Sequence, residues 1–363
     1  MKKDKKVLII LIPGFPKDEG DSTCLPFPQS FVKNMKRLNP GIEILVLTFQ
    51  YPFFRGRYRW NGIEVESFNG RNKGKLNRIF LWYIIWRRLN RILKERNVFG
   101  ILSFWMGECA LIGKYAAKKF GKPWYIWLQG QDARMGNKYY SFIKPNPESL
   151  ISLSDFLSDE MFKNYKMRPA NTIPPGIDPA EFSQPNGLRP IDIIGAGSLI
   201  PLKQYEQFIR IIAKLVVTRP QLKAVICGDG PEHLKLQELI EQYNLNSQVE
   251  LRGELQHVQL LELMASSKIF LHPSSYEGFG VVISEALYSG AHVVSYKNPM
   301  QMSFEHLHVV NSMLAMTKKV EVLLDDKYLD HKSVVTSLID ETCINILNLY
   351  EEVSMAVSSF AMV

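Results

Sequence analysis

The sequence predicts an α/β protein built as two doubly wound, Rossmann-like domains in tandem, and three observations carry that expectation. Short apolar runs alternate with longer segments of helical periodicity through most of the chain, the pattern of a parallel sheet covered by helices on both faces. One stretch rich in proline, glycine and asparagine, NTIPPGIDPAEFSQPNGLRP at 171–190, interrupts the alternation, which then restarts. The length of 363 residues exceeds what one ordinary core organises and suits two domains of average size.

In chain order, KVLIILI (6–12) reads as a first buried strand. Its lysine-rich lead and apolar run imitate a secretion signal, yet Pro13 and Gly14 break the run and no small-residue cleavage site follows. A helical pattern at 25–38 leads to the strand IEILVLTF (42–49), then to the basic and aromatic stretches RGRYRW (55–60), RNKGK (71–75) and KLNRIFLWYIIWRRLNRILKER (75–96). ILSFW (101–105), a helical pattern at 107–120 and WYIWLQ (124–129) continue the alternation. Beyond the interruption come IDIIGAG, a helix from about Lys203, LKAVICGDG, a helix from Pro231, QVELRG, a helix near 256–266, KIFLHP, a helix after Gly280 and AHVVSY. The expected division is a first domain at 1–172, a linker at 173–189, a second domain at 190–332 and a terminal segment at 333–363. In that last segment a helical pattern covers 333–354, ahead of a weakly polar tail read as disordered.

Composition narrows the class. A hydrophobic share of 46% and a charged share of 22% are those of an ordinary globular chain. The longest later apolar run, 79–86, falls far short of the roughly 20 residues that a bilayer span needs. Cys24, Cys109, Cys227 and Cys343 stand far apart without metal-like spacing, which points to a reducing, cytoplasmic setting. The net charge of +8 is unevenly spread: residues 1–170 carry 30 basic against 14 acidic side chains, and residues 171–363 carry 14 against 22. An anionic partner is therefore expected at the first domain. No recognisable nucleic-acid module accompanies the charge, so nucleic acid is not the expected partner.

Open parallel sheets bind ligands at the carboxyl ends of their strands. In the second domain four such ends carry informative residues: Gly195 to Ser198 with Gly197, Gly228 and Gly230, Gly253 with Leu255, and SSYEGFGVVISEAL at 274–287. Glycines at such corners let a ligand approach the backbone, although each alone is usually only a turn former. Gly278, Phe279, Gly280 and Val281 open a helix whose free N–H groups suit phosphate. Glu277 and Glu285 place two carboxylates on either side of that mouth, and Lys203 adds an ammonium. No D-x-D pair occurs in the chain, so a diphosphate here is expected to be neutralised without a metal or other cofactor. The bland alternative makes Glu285 a solvated helix residue and Glu277 an ordinary loop acid.

GAGSLIPLK, VICGDGPEHLKLQELIEQYNL, VELRGEL and HPSSYEGFGVVISEALYSGAHVV, in that order and spacing, resemble the carboxyl-terminal domain of glycosyltransferase family 4, the retaining nucleotide-sugar enzymes of GT-B fold. PPGIDPAEF and SLSDFLSDEMFKNY resemble the same family, and the likeness covers most of 120–296. It implies two Rossmann-like domains facing each other across a cleft, with the carboxyl-terminal helix of 333–363 crossing back onto the first. It also implies that Glu285 holds the ribose hydroxyls, that Glu277 with the backbone of Phe279 and Gly280 contacts the donor sugar, and that Lys203 holds the diphosphate. The implied function is sugar transfer from a nucleoside diphosphate to a glycan or lipid-linked acceptor in polysaccharide or glycoconjugate assembly.

Three positions depart from the family pattern. Ser198 stands where the family has arginine, Gly20 is followed by Asp21 where the family often has a second glycine, and Gln129 replaces a histidine. Gln129 cannot act as a base, but its amide suits a sugar hydroxyl; Asp132 suits the same task or a capping or salt-bridging one. The basic first domain is expected to hold the acceptor, with 55–96 either a surface meeting anionic membrane on its inner face or a core helix with charged flanks. Two other functions fit the same fold: a nucleotide-sugar epimerase and a non-catalytic nucleotide-sugar-binding protein.

Overall fold

In the computed structural model, which describes residues 5–183 and 187–360, the chain divides into two compact units. The first contains the described residues up to Gly176 and those from Ile339, and the second is Ile177–Leu338. Residues 1–4, residues 184–186 of the expected linker and residues 361–363 of the expected tail lie outside the described residues.

The first unit is built on eight strands: β1 (Lys6–Gly14), β2 (Ile42–Tyr51), β3 (Arg55–Trp60), β4 (Ile63–Phe68), β5 (Val98–Phe104), β6 (Trp124–Trp127), β7 (Leu150–Ser152) and β8 (Asn171–Thr172). They lie in the order β3-β4-β2-β1-β5-β6-β7-β8. Its helices are α1 (Pro26–Leu38), α2 (Lys75–Glu95), α3 (Glu108–Phe120), α4 (Lys138–Ile143) and α5 (Asp155–Tyr165). β1 pairs in parallel with β2 and β5, and Leu8 to Ile12 are fully buried, as an unbroken apolar run on a central strand requires.

The hairpin of β3 and β4 is among the elements absent from the sequence expectations. RGRYRW is an edge strand, β3, antiparallel to β4 across a two-residue turn at Asn61 and Gly62, with φ of 46° and 70°. Asn-Gly is the residue pair that a tight hairpin turn with two positive φ angles favours, so the signal was present in the sequence.

The second unit has β9 (Ile191–Ala196), β10 (Ala224–Cys227), β11 (Val249–Leu251), β12 (Ser267–His272), β13 (His292–Ser295) and β14 (Leu307–Val309), all parallel, in the order β11-β10-β9-β12-β13-β14. Between them run α6 (Tyr205–Leu215), α7 (His233–Gln242), α8 (His257–Ala265) and α9 (Val281–Tyr288), and α10 (Met313–Asp325) follows β14. The sheet grows in one direction from β9 and in the other from β12. Their shared boundary is the switch point, where a doubly wound sheet opens a crevice.

The chain ends in α11 (Ile339–Phe360), part of the first unit. Its start is later than the expected 333, because 333–338 are held in the second unit: Val334 N–H donates to the Leu287 carbonyl and Ile177 N–H to that of Ser337, each at 3.0 Å. Residues from Ile177 belong with them, so this part of the expected linker is integral to the second unit. The helix also continues past 354 to Phe360, through the start of the expected disordered tail.

The hydroxyl of Tyr350, fully buried on α11, donates to the Ile101 carbonyl at 2.9 Å, and the ring lies on Gly100, where a Cβ would meet it at 2.2 Å. All six tryptophans lie between Trp60 and Trp127, so their fluorescence reports the first unit alone. Tyr350→Phe is expected to cost about 1 kcal/mol, read as a lower urea midpoint with unchanged slope. An unchanged midpoint would show that this bond does not hold α11.

Candidate functional site

The site of the second unit is assembled at the switch point. Lys203 closes a 3-10 turn (Pro201–Lys203) after β9, and Glu277 sits in the loop after β12. Ser275 N–H, at 3.0 Å, and the hydroxyls of Ser274 and Ser275, at 3.3 and 3.0 Å, all donate to the Leu202 carbonyl, so the two loops are laced together. Lys203 Nζ binds Glu277 Oε1, and His272, the last residue of β12, donates to the same oxygen from Nε2 at 2.7 Å. The three side chains are only 16%, 11% and 3% exposed.

Burial opposes the charge of Glu277, but the His272 hydrogen bond and the Lys203 ammonium outweigh it and hold the carboxyl down at about 2. Burial lowers the His272 imidazole below its ordinary range, against the pull of Glu277. The arrangement at neutral pH is therefore a fixed carboxylate between an ammonium and a neutral N–H donor.

The glycine corners have a structural reason that the sequence did not disclose. A Cβ on Gly228 would lie 2.0 Å from the Gly197 carbonyl oxygen, and one on Gly230 would lie 2.5 Å from that of Leu199. Gly197 N–H donates to Cys227 O at 3.0 Å, Leu199 N–H to Asp229 O at 2.9 Å and Gly228 N–H to Gly253 O at 2.7 Å. These residues bring the ends of β9, β10 and β11 into backbone contact, and Ser198 lies exposed on that rim with Leu255 partly buried on the loop after β11.

Gly280, at φ 78°, turns the chain into α9. Gly278 and Phe279 are buried ahead of it and Val281 is partly exposed, while the first turn presents backbone N–H groups that have no partner within the helix. Glu285 is 8% exposed, one helical turn further in, so it is not the solvated residue of the bland alternative. It accepts from His257 Nε2 at 2.8 Å, and His257 Nδ1 lies 3.7 Å from Glu181 Oε2. Burial alone would lower the His257 imidazole, but the Glu285 hydrogen bond and the charges of Glu285 and Glu181 raise it overall.

His272, His257 and Glu181 were missed from the sequence. His272 was within reach, as a histidine ending a strand five positions before Glu277. The meeting of Glu181 with His257, 76 positions on, left no local signal. An open pocket of about 830 Å³ adjoins the Lys203 loop, lined by Gln204, Ser275, Tyr296 and Lys297 among others.

The other predicted residues lie in the first unit. Asp132 is a cap: its Oδ2 accepts Gln129 N–H at 2.8 Å and Met106 N–H at 2.9 Å, closing the 3-10 turn Gly130–Ala133. Burial raises its carboxyl to about 7 against these two hydrogen bonds. The Gln129 side chain takes the reciprocal capping role. Asp21 accepts from the Tyr51 hydroxyl at 2.6 Å and from Lys17 N–H at 3.1 Å, and Gly20 N–H donates to Asp18 at 3.0 Å, so this loop is folded on itself and tied to β2. Asp132 also lines an open pocket of about 670 Å³ with Arg78, Trp105, Met106, Asn137 and Tyr139. Arg78 Nε is buried there without a hydrogen bond.

α2 buries one apolar stripe and exposes another. Leu81, Ile85, Leu89, Ile92 and Leu93 are buried, whereas Leu76, Ile79, Phe80 and Tyr83 are 84%, 59%, 65% and 52% exposed at helical spacing. Arg87 lies over the Tyr83 ring and Arg71 over that of Phe53, so guanidinium groups border exposed aromatic surface. No helix among the described residues is long and apolar enough to cross a membrane.

Residues 178–332, nearly the whole second unit, match the family model of Glycosyl transferases group 1. The phosphatidylinositol N-acetylglucosaminyltransferase gpi3 subunit of Schizosaccharomyces pombe is 29% identical over 282 residues, covering 74% of this chain and 61% of that protein. The corresponding GPI3 subunit of Saccharomyces cerevisiae is 25% identical over 207 residues, 52% of this chain and 46% of that one. The chain thus spans less than two thirds of the length of these curated relatives. Among solved structures, sucrose-phosphate synthase from Thermosynechococcus elongatus superposes with TM-score 0.72 at 15% identity, covering 99% of this chain and 98% of that one. Anabaena Alr3699/HepE in complex with UDP-glucose gives 0.67 at 18%, covering 98% and 99%. The fold is that of GT-B glycosyltransferases, with two Rossmann-like domains.

A testable consequence concerns His257. Because its folded value is raised above the ordinary 6.5, its contribution to stability is fully present below pH 6.5 and is lost as pH rises through the higher folded value. NMR titration should find His257 still protonated above pH 6.5, and Glu285→Gln should bring its midpoint down. A midpoint indifferent to that substitution would refute the coupling.

Proposed function

We propose, on the premise that residues 178–332 are a domain of the Glycosyl transferases group 1 family, that this chain moves a sugar from a nucleoside diphosphate to a lipid-linked or glycan acceptor with retention at the anomeric carbon. The observation that carries the reading is the Lys203–Glu277–His272 cluster at the switch point of the second sheet, where α9 also begins. A diphosphate at that mouth meets N–H groups at a helix start and one ammonium, and needs no metal ion. Glu277 then exchanges Lys203 for sugar hydroxyls while His272 holds its carboxylate in place, and Glu285, held by His257, accepts from the ribose. In the transfer step the acceptor oxygen bonds to the anomeric carbon as the carbon–phosphate oxygen bond breaks on the same face, and the departing phosphate oxygen takes the acceptor proton. The protein's share of the rate is positioning and charge stabilisation.

The names of the curated relatives and the UDP complexes among the solved structures favour UDP-N-acetylglucosamine as the first donor to try and an inositol-lipid type of acceptor. Within the first unit, the pocket containing Arg78 suits an acceptor bearing phosphate. The exposed stripe from Leu76 to Tyr83, with arginines around it, suits the inner face of an anionic membrane on the cytoplasmic side.

The purified chain is assayed for transfer from UDP-, GDP- and ADP-sugars to acceptor lipids in vesicles. Lys203→Ala and Glu277→Ala are each expected to lower transfer by about 100-fold or more with circular dichroism unchanged; full activity in both would defeat the assignment. Acceptor-independent interconversion of a UDP-sugar would assign an epimerase instead. Phe80→Asp with Ile79→Asp is expected to weaken sedimentation with anionic vesicles at least about tenfold while sparing donor binding. Unchanged sedimentation would remove the membrane from the proposal.

A further inference from the structure

Four of the seven histidines gather at the edge of the second unit's sheet, toward the amino-terminal ends of parallel strands whose carboxyl ends carry Lys203 and Glu277. His292 opens β13, His306 precedes β14, His308 is within β14, and His331 comes from the segment after α10. The rings of His292 and His306 stack with centroids 4.1 Å apart, and His308 and His331 lie 5.5 and 5.7 Å from His292. His292 donates from Nε2 to the Asp330 carbonyl at 2.7 Å, which leaves its Nδ1 to accept from His308 Nε2 at 3.1 Å. His331 Nδ1 donates to the Gly290 carbonyl at 2.9 Å.

His306 differs from its neighbours. Its ring is buried, its Nδ1 has no partner among the described residues, and its Nε2 stands 4.0 Å from Glu305 Oε1, too far for a hydrogen bond. Glu305, His306 and Asp330 each present one ligand atom, and these atoms all lie within 4.8 Å of one another.

We propose that Glu305, His306 and Asp330 bind a divalent transition-metal ion of the zinc class, at a site remote from the sugar-transfer cluster. An imidazole nitrogen between two carboxylates suits such an ion, whereas magnesium and calcium take oxygen ligands. Zinc bonds of roughly 2.0–2.2 Å need the ligand atoms somewhat closer together. The Glu305 side chain, 69% exposed, is free to swing inward. Lys332, 77% exposed, now pairs with Asp330 Oδ2 at 2.8 Å, and the ion would displace it. His292 is the positioning residue, because one imidazole grips the Asp330 backbone and stacks on His306. Residues 330–334 also bind beneath α9, through His331 to Gly290 and Val334 to Leu287. A bound ion would therefore stiffen the support of the helix that carries Glu285.

The test is independent of transferase activity. The full chain, stripped with chelator and dialysed, is titrated with Zn2+ alone, and uptake is measured by metal analysis after desalting and by the thermal midpoint. The expected result is one saturable equivalent and a concentration-dependent rise in Tm, with no shift from Mg2+ at the same concentration. Glu305→Gln with Asp330→Asn should weaken uptake at least about tenfold while leaving the metal-free midpoint at the wild-type value, and His306→Ala should abolish it. No saturable uptake, uptake unchanged in the double variant, or equal binding of Mg2+ would overturn the proposal.

Discussion

The bond between Lys203 and Glu277 is the constraint on which the second unit's site depends. It joins the loop after β9 to the loop after β12, the two strands from which the sheet grows in opposite directions. A largely buried carboxylate must be compensated, and here it is compensated twice, by the ammonium and by His272. Neither cation nor carboxylate therefore waits in solvent for a ligand. An anion entering at the start of α9 would compete with Glu277 for Lys203, and hydroxyls would compete with Lys203 for Glu277.

Around this pair the backbone itself is the scaffold. Gly228 and Gly230 are glycines because the chain at Gly197 and Leu199 occupies the space a side chain would need. Close backbone packing of this kind leaves peptide groups at the rim, where the lack of side chains lets a ligand approach the backbone. Second-layer side chains then fix the acids: His272 behind Glu277, and His257 with Glu181 behind Glu285.

The first unit solves a different problem. Its basic charge is partly internal, since Arg88 pairs with Glu66 at 2.8 Å and Arg96 reaches both Glu43 and Glu64. Part of what remains outside lies along β3 and the solvent side of α2, next to apolar side chains left exposed among the described residues. Asp132, which the sequence left between binding and capping, caps its turn from a buried position and also lines the pocket.

By itself the sequence determined the alternation of strands and helices, the division into two doubly wound halves and the glycine corners at the carboxyl ends of strands. Those follow from hydrophobic period, glycine and proline placement and chain order, all of which are local. Even the missed β3–β4 hairpin was written locally, in Asn61-Gly62. Tertiary structure alone decided that Lys203 and Glu277, 74 positions apart, share one bond, that Glu181 backs His257, and that α11 rests on Gly100. It also decided that α2 buries one stripe and exposes another. Each of these depends on which buried charge finds which partner and on which face meets the sheet, and such partners are chosen by packing between distant segments, for which a single sequence has no local code.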